Sequence, residues 1–244
     1  MNDAFFLYDQ LLASVSDSTP ITEAVTGRLW ACVRAGDRGG LAMAAPGDSI
    51  PPRFPEGLQS LPLQEAAQAV KSWNMEEASL AMAAINTALN TPERVEALEC
   101  YLPFEKHYTD DLDFAGKIVG VIGHMRGSER MWREAAQIYT LERVPQPGDY
   151  PDSACEYLLP GCDIVLISGS TLINKTLPRL LALCENAYTV LTGPSVPLCP
   201  ALLRCGIDRL AGLAIDQPEK ASAHVAAGRP GSPYLLGMPF VLSR

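Results

Sequence analysis

The 244-residue chain has no C-x-x-C pair, no G-x-G-x-x-G turn, no P-loop, no G-x-S-x-G elbow and no H-E-x-x-H helix. Those absences remove the usual dinucleotide fingerprint, the glycine-rich phosphate cradle, the α/β-hydrolase nucleophile and the zincin metal centre. Histidine is scarce: His107, His124 and His224 are far apart, and none stands at a zinc-finger spacing from a cysteine. Basic side chains are outnumbered, 19 Lys+Arg against 28 Asp+Glu, for a formal charge of −9. That balance offers no global electrostatic footprint for nucleic acid or an anionic membrane surface. Long apolar runs are missing too. Stretches such as 164–167 fall far short of the ~20 residues that span a bilayer. The opening MNDAFFLYDQLL carries no basic n-region, so no secretory signal is expected and a cytoplasmic location is.

What is present is an ordinary globular composition, 48% hydrophobic and 19% charged. The length suits one large or two small domains, at roughly 100–200 residues each. Such a chain can bury about 70% of its unfolded surface. Seven cysteines occur: Cys32, Cys100, Cys155, Cys162, Cys184, Cys199 and Cys205. Without ligand spacing they read as reduced thiols, several of them buried as small hydrophobes, with no structural zinc.

The two halves differ in rhythm. Residues 2–18 predict a helix from Phe5, Leu7, Tyr8, Leu11 and Leu12. Two short apolar runs, 28–33 and 41–44, flank the glycine-rich turn 36–40 and predict a β-hairpin. Five prolines make 46–62 a loop. Helices are predicted over 63–73 and 75–89; in the second, Ala78, Met82, Ile85 and Leu89 form one apolar stripe. Asn90-Thr91-Pro92 ends it. Residues 92–115 are charged and irregular, and a domain boundary is expected there, dividing 1–105 from 106–244. Beyond it, strands are predicted at 117–123, 137–144, 163–168, 187–191 and 209–215, with helices at 125–135, 176–184 and 200–205. Strands alternating with helices imply a parallel sheet covered on both faces.

In such a sheet ligands bind beyond the carboxyl ends of the strands. The first strand ends at Gly123, with Gly127 four positions on, and glycine there admits a ligand to the backbone. Close helix–strand packing explains the same glycines equally well. Glu142 follows Gly123 by 19 positions, the place of a ribose-binding acid in Rossmann domains; the competing reading is a surface glutamate. The third strand runs into Ser168-Gly169-Ser170-Thr171-Leu172-Ile173-Asn174-Lys175-Thr176, with Thr176 placed to cap the next helix. Capping accounts for Thr176 but leaves Ser168, Ser170, Thr171 and Asn174 over. The fourth strand runs into Gly193-Pro194-Ser195, a rigid loop at the same rim that could equally be structural. Asn86 and Asn90 share one face of the 75–89 helix, where a mid-helix Asn is more often a satisfied polar group than a ligand contact.

These residues resemble the family called putative heavy-metal chelation, a bacterial and archaeal family of unknown function, over nearly the whole chain. The first half carries Ser79 to Asn90, similar to a family pattern glycine-leucine-alanine-alanine-isoleucine-asparagine-alanine, with Ala81 and Thr87 as departures. The second half carries 119–123, Glu142, 147–151, 163–176, 193–197 and 206–216. His124-Met125-Arg126 departs, since family members more often have an aromatic residue and a proline there. The resemblance implies an α/β fold: a small α+β module similar to the enolase N-terminal domain, followed by a Rossmann-like module. It also implies a site between the two, for a pterin-, flavin- or siderophore-like compound or for heavy-metal handling.

The leading expectation is therefore a cytosolic protein holding a metal-chelating small molecule between its modules. Asn86 would come from the first; Gly123, Ser168, Gly169, Thr171, Asn174, Thr176, Gly193 and Ser195 would come from the second. Asn86 and Asn174 are expected to line one pocket. If the protein is an enzyme, condensation or hydrolysis fits best, with Glu142 as the acid/base. Two rivals remain: a carrier binding soft metals directly through Cys, His and carboxylates, and a methyltransferase-like enzyme using S-adenosylmethionine with Glu142 on the ribose. No nucleic-acid or membrane partner is expected, the cofactor is left unassigned, and self-association is left open.

Overall fold

A computed structural model describes residues 5–47, 50–125, 132–228 and 232–244. The chain runs through helix α1 (Phe6–Leu12) into strands β1 (Glu23–Thr26), β2 (Trp30–Ala35) and β3 (Arg38–Met43), then helices α2 (Leu63–Ala66), α3 (Met75–Leu89) and α4 (Pro92–Ala97). Next come β4 (Ile118–Ile122), β5 (Gln137–Glu142), β6 (Tyr150–Pro151), α5 (Cys155–Leu158), β7 (Ile164–Ser168), α6 (Ser170–Ile173) and α7 (Leu177–Leu183). Strand β8 (Tyr188–Thr192), α8 (Pro200–Leu203), β9 (Arg209–Ile215), α9 (Pro218–Ala226) and β10 (Gly237–Ser243) complete it. No helix among the described residues is long and apolar enough to cross a membrane.

Strands β1, β2 and β3 form a small antiparallel sheet. The other seven form one sheet in the order β10-β9-β8-β7-β4-β5-β6, parallel except for β10. From β4 the chain builds outward through β5 and β6, then returns to place β7 on the other side of β4. The strand order reverses between β4 and β7, which makes that the crevice where doubly wound sheets bind ligands. The middle strands are continuous apolar runs because both faces are covered: β7 is buried at four of its five positions and β9 at all seven.

Helix α3 joins the two sheets. Asn74 accepts the Glu77 N–H at its N-terminus. Ala78, Met82, Ile85 and Leu89 are all buried, in a core that continues from the small sheet into the large one. Small residues let α3 lie directly on β3. A Cβ on Gly40 would stand 2.3 Å from the Thr87 nitrogen and 2.4 Å from the Ala83 carbonyl oxygen.

The structure departs from the sequence reading in particular places. Helix α1 stops at Leu12, where Ser14 donates its hydroxyl to the Gln10 carbonyl; residues 2–4 lie outside the described residues. The 63–73 helix tightens to a 3₁₀ turn over Ala67–Lys71. The 92–115 stretch contains α4, because Pro92 both ends α3 and starts a new helix at its first turn, capped by Thr91. Of the helix expected at 125–135, residues 126–131 lie outside the described residues, and 132–134 form a turn.

Candidate functional site

The carboxyl ends of β4, β5 and β7 meet at one rim. Gly123 ends β4 in the left-handed region, at φ 92°, which a side chain would strain. Its N–H donates to the Leu141 carbonyl, and a Cβ there would lie 3.1 Å from Ser168 Cβ. Gly123 therefore touches both neighbouring strand ends, Ser168 lies across the crevice and Glu142 ends β5. The Ser168 and Ser170 hydroxyls are 2.9 Å apart, and Thr171 donates to the Ser168 carbonyl at 2.7 Å. These bonds turn β7 into α6, a single turn that the sequence reading left unassigned. Thr171 is buried in doing so.

The rim's charge centre includes two residues that the sequence reading missed. His124 sits between two carboxylates: Nε2 is 2.8 Å from Asp149 Oδ2, and Nδ1 is 3.2 Å from Glu142 Oε1. The His124 backbone N–H donates to Glu142 Oε1, and the Gln146 N–H donates to Asp149 Oδ2. All three side chains keep some exposure to solvent. The signal was faint, a histidine directly after the strand-ending glycine and an aspartate in the Pro147–Pro151 turn, 25 positions apart.

A second set of the expected residues forms a buried seam between the sheets. Asn86 donates Nδ2 to the Leu41 carbonyl at 2.7 Å and to the Pro194 carbonyl at 3.2 Å. Its Oδ1 is buried with no hydrogen-bond partner among the described residues. Asn90 donates to the Val196 and Leu213 carbonyls and accepts the Leu198 N–H. Ser195 accepts the Met43 N–H at 2.8 Å. Gly193 takes φ 116° and donates to the Ala211 carbonyl. A Cβ on Gly169 would lie 2.8 Å from Val196 Cγ2, so its bareness serves close packing.

Asn174 and Thr176 belong to a third place, the entry to α7. Thr176 occupies the cap position, but its hydroxyl donates to Asn174 Oδ1 at 2.7 Å and its N–H does so at 3.1 Å. The expected Thr176 cap is thus corrected: the Asn174 carboxamide makes the turn, because it already collects both Thr176 donors. Among the described residues Asn174 and Asn86 share no hydrogen-bond partner.

The donor set does not suit direct chelation of a soft metal. Among the described residues no three His, Cys, Asp or Glu side chains are arranged to hold an ion. All seven cysteines are free thiols and six are buried. Burial is the first cause that raises Cys155 and Cys162 to about 11 and Cys32 and Cys184 to about 12. Thiols so far from ionising are poor metal ligands at neutral pH.

Comparison with known proteins agrees with this architecture. Two family patterns, both described as putative heavy-metal chelation, match residues 8–89 and 110–234. An uncharacterized protein of Methanocaldococcus jannaschii is 30% identical over 167 residues, covering 65% of this chain and 62% of that protein. A crystal structure of a protein with unknown function from the DUF364 family of Desulfitobacterium hafniense superposes with a TM-score of 0.88 at 33% identity, over 99% of this chain and 98% of that one. A second, from Pyrococcus horikoshii, shares the fold at TM-score 0.81 and 23% identity, covering 98% of this chain and 100% of that one. With matching patterns in both halves, the chain belongs to the putative heavy-metal chelation family.

Proposed function

We propose that the protein binds a small metal-chelating molecule, pterin-, flavin- or siderophore-like, at the rim between β4 and β7. The observation that carries the reading is the strand-order reversal at Gly123 and Ser168, where a bare left-handed glycine faces the Ser168 side chain, whose hydroxyl pairs with that of Ser170. Chelators bear carbonyl, enol or hydroxamate oxygens and ring N–H groups. Ser168 and Ser170 can donate to such oxygens, and the Glu142–His124–Asp149 cluster can accept N–H or O–H donors. Asn86 Oδ1, buried without a partner at the adjoining seam, adds an acceptor that a ligand or a bound water can satisfy.

The metal would arrive inside the chelator, which reconciles the family description with a chain in which burial keeps Cys32, Cys155, Cys162 and Cys184 neutral at ordinary pH. Glu142 already accepts the His124 and Arg143 N–H groups. That engagement favours holding a ligand over moving protons, and so binding over condensation or hydrolysis. The test is thermal denaturation of the purified protein with pterins, flavins, catechols and hydroxamates, each with and without ferric iron. One class should raise the midpoint by adding RT ln(1 + [L]/Kd) to the unfolding free energy, about 2.7 kcal/mol at a hundredfold excess over Kd. The same class should have no effect on Ser168→Val. No stabilisation by any class, or equal stabilisation of Ser168→Val, would refute the reading.

A further inference from the structure

Among the described residues, Lys175 is the one lysine whose amine is drawn into the fold by two backbone carbonyls. Its Nζ donates to the Ser72 carbonyl, ahead of α3, and to the Ile173 carbonyl at 2.8 Å, at the end of α6. The same nitrogen lies 5.7 Å from the centroid of the Trp73 ring. Trp73 is 55% exposed, with Phe5 against its edge. The backbone at Lys175 is left-handed, φ 63°, a conformation that strains a non-glycine residue and clusters at functional positions. The Asn174–Thr176 turn holds it there.

We infer that Lys175 is a reactive amine that captures a small neutral aldehyde, the Trp73 ring forming one wall for the carbonyl compound. The geometry supplies the direction of attack. A neutral Nζ has two hydrogens, which the Ser72 and Ile173 carbonyls can hold. The lone pair then points away from both. It attacks the carbonyl carbon, forming the C–N bond, while the C=O pair moves to oxygen and takes a proton. Loss of water, with departure of the remaining N–H proton, leaves the imine. Desolvation lowers the amine from its ordinary value to about 8. The charged group it feels is Glu77 of α3, which acts the other way; Lys71 stacks on Phe5 and pairs with Asp9. An anionic oxo acid fits less well than a neutral aldehyde, since Glu77 is the neighbouring charge and, among the described residues, no second cation faces the amine.

The test uses the full chain at pH 7.5 with benzaldehyde as the probe and cyanoborohydride to trap the imine. Peptide mass spectrometry then follows benzylation at Lys71, Lys106, Lys117, Lys175 and Lys220. Each unit of lowered pKa raises the neutral-amine fraction tenfold, so Lys175 should react at least about tenfold faster than Lys106 or Lys117. Its rate should rise with pH and level off just above 8. Lys175→Arg, which keeps a donor for both carbonyls, should abolish the fast adduct and leave the other four rates unchanged. Labelling of Lys175 no faster than of Lys106 and Lys117, or a fast adduct that persists in Lys175→Arg, would overturn the proposal.

Discussion

Replacing Asn90 by alanine probes the seam on which the site depends. The carboxamide is 1% exposed and makes three bonds to the large sheet and its loop: Nδ2 to Val196 O at 2.9 Å and Leu213 O at 3.0 Å, and Oδ1 from Leu198 N at 2.7 Å. Alanine strands two carbonyls and one N–H in a buried place. A net hydrogen bond contributes about 1 kcal/mol and an orphaned buried group costs ~1–3 kcal/mol, so the loss should be about 3 kcal/mol or more. For a chain of this size that corresponds to a fall of roughly 6–12 °C in Tm, at ~2–4 °C per kcal/mol. Urea unfolding followed by circular dichroism measures it directly, with the slope m unchanged. Asn90→Asp should be at least as damaging, because it places an acceptor against two carbonyls. A loss under about 1 kcal/mol for Asn90→Ala would refute the seam as a structural tie.

Glu142→Gln should leave the fold intact and weaken binding of the chelator found by denaturation screening by about 1.5–3 kcal/mol, measured by titration calorimetry; unchanged affinity would remove Glu142 from the site. Gly40→Ala should destabilise by at least about 2–3 kcal/mol, since the groups a Cβ would strike are α3 backbone and cannot swing aside. A thiol assay should count seven free thiols in denaturant and, in the native protein at pH 8, rapid reaction chiefly at the half-exposed Cys205. Stability should fall as pH rises from about 9 towards 11. There the unfolded thiols ionise while Cys32, Cys155, Cys162 and Cys184 keep their protons, so the native state binds more protons. Lys175, lowered to about 8, works in the opposite direction, but it is one group against four; a midpoint that rises over this range would contradict the assignment.

Strands β4, β7, β8 and β9 were legible because their burial writes them as apolar runs, as in 164–167, whereas the two-residue exposed β6 left no such run to read. Helix α3 was legible to its end residues, since its apolar stripe and terminal proline agreed; its Asn74 cap was not read from the sequence. Other elements owe their form to tertiary partners. Strand β10 contains Pro239, which a strand tolerates at a sheet's edge; β10 is that edge strand, and the Pro239 carbonyl accepts the Leu102 N–H. The four-residue α6 is set by Ser168 and Thr171 bonding across one turn, a local geometry with no period to read. Of the rim, Gly123, Glu142 and Ser168 were legible from their places at strand ends. His124 and Asp149 were not, because nothing in the sequence says that a turn 25 positions on folds back against the first strand's end.

The central claim, a chelating small molecule at the β4–β7 rim, is tested most directly by mass spectrometry of what the protein retains. Native spectra of the full chain, purified without chelating resin, give the mass of any retained compound; denaturation then releases it for identification. The account predicts one bound compound bearing metal-chelating oxygen or nitrogen groups, present on the wild-type chain and missing from Ser168→Val. A metal ion retained without any organic ligand, or a compound retained equally by Ser168→Val, would contradict it.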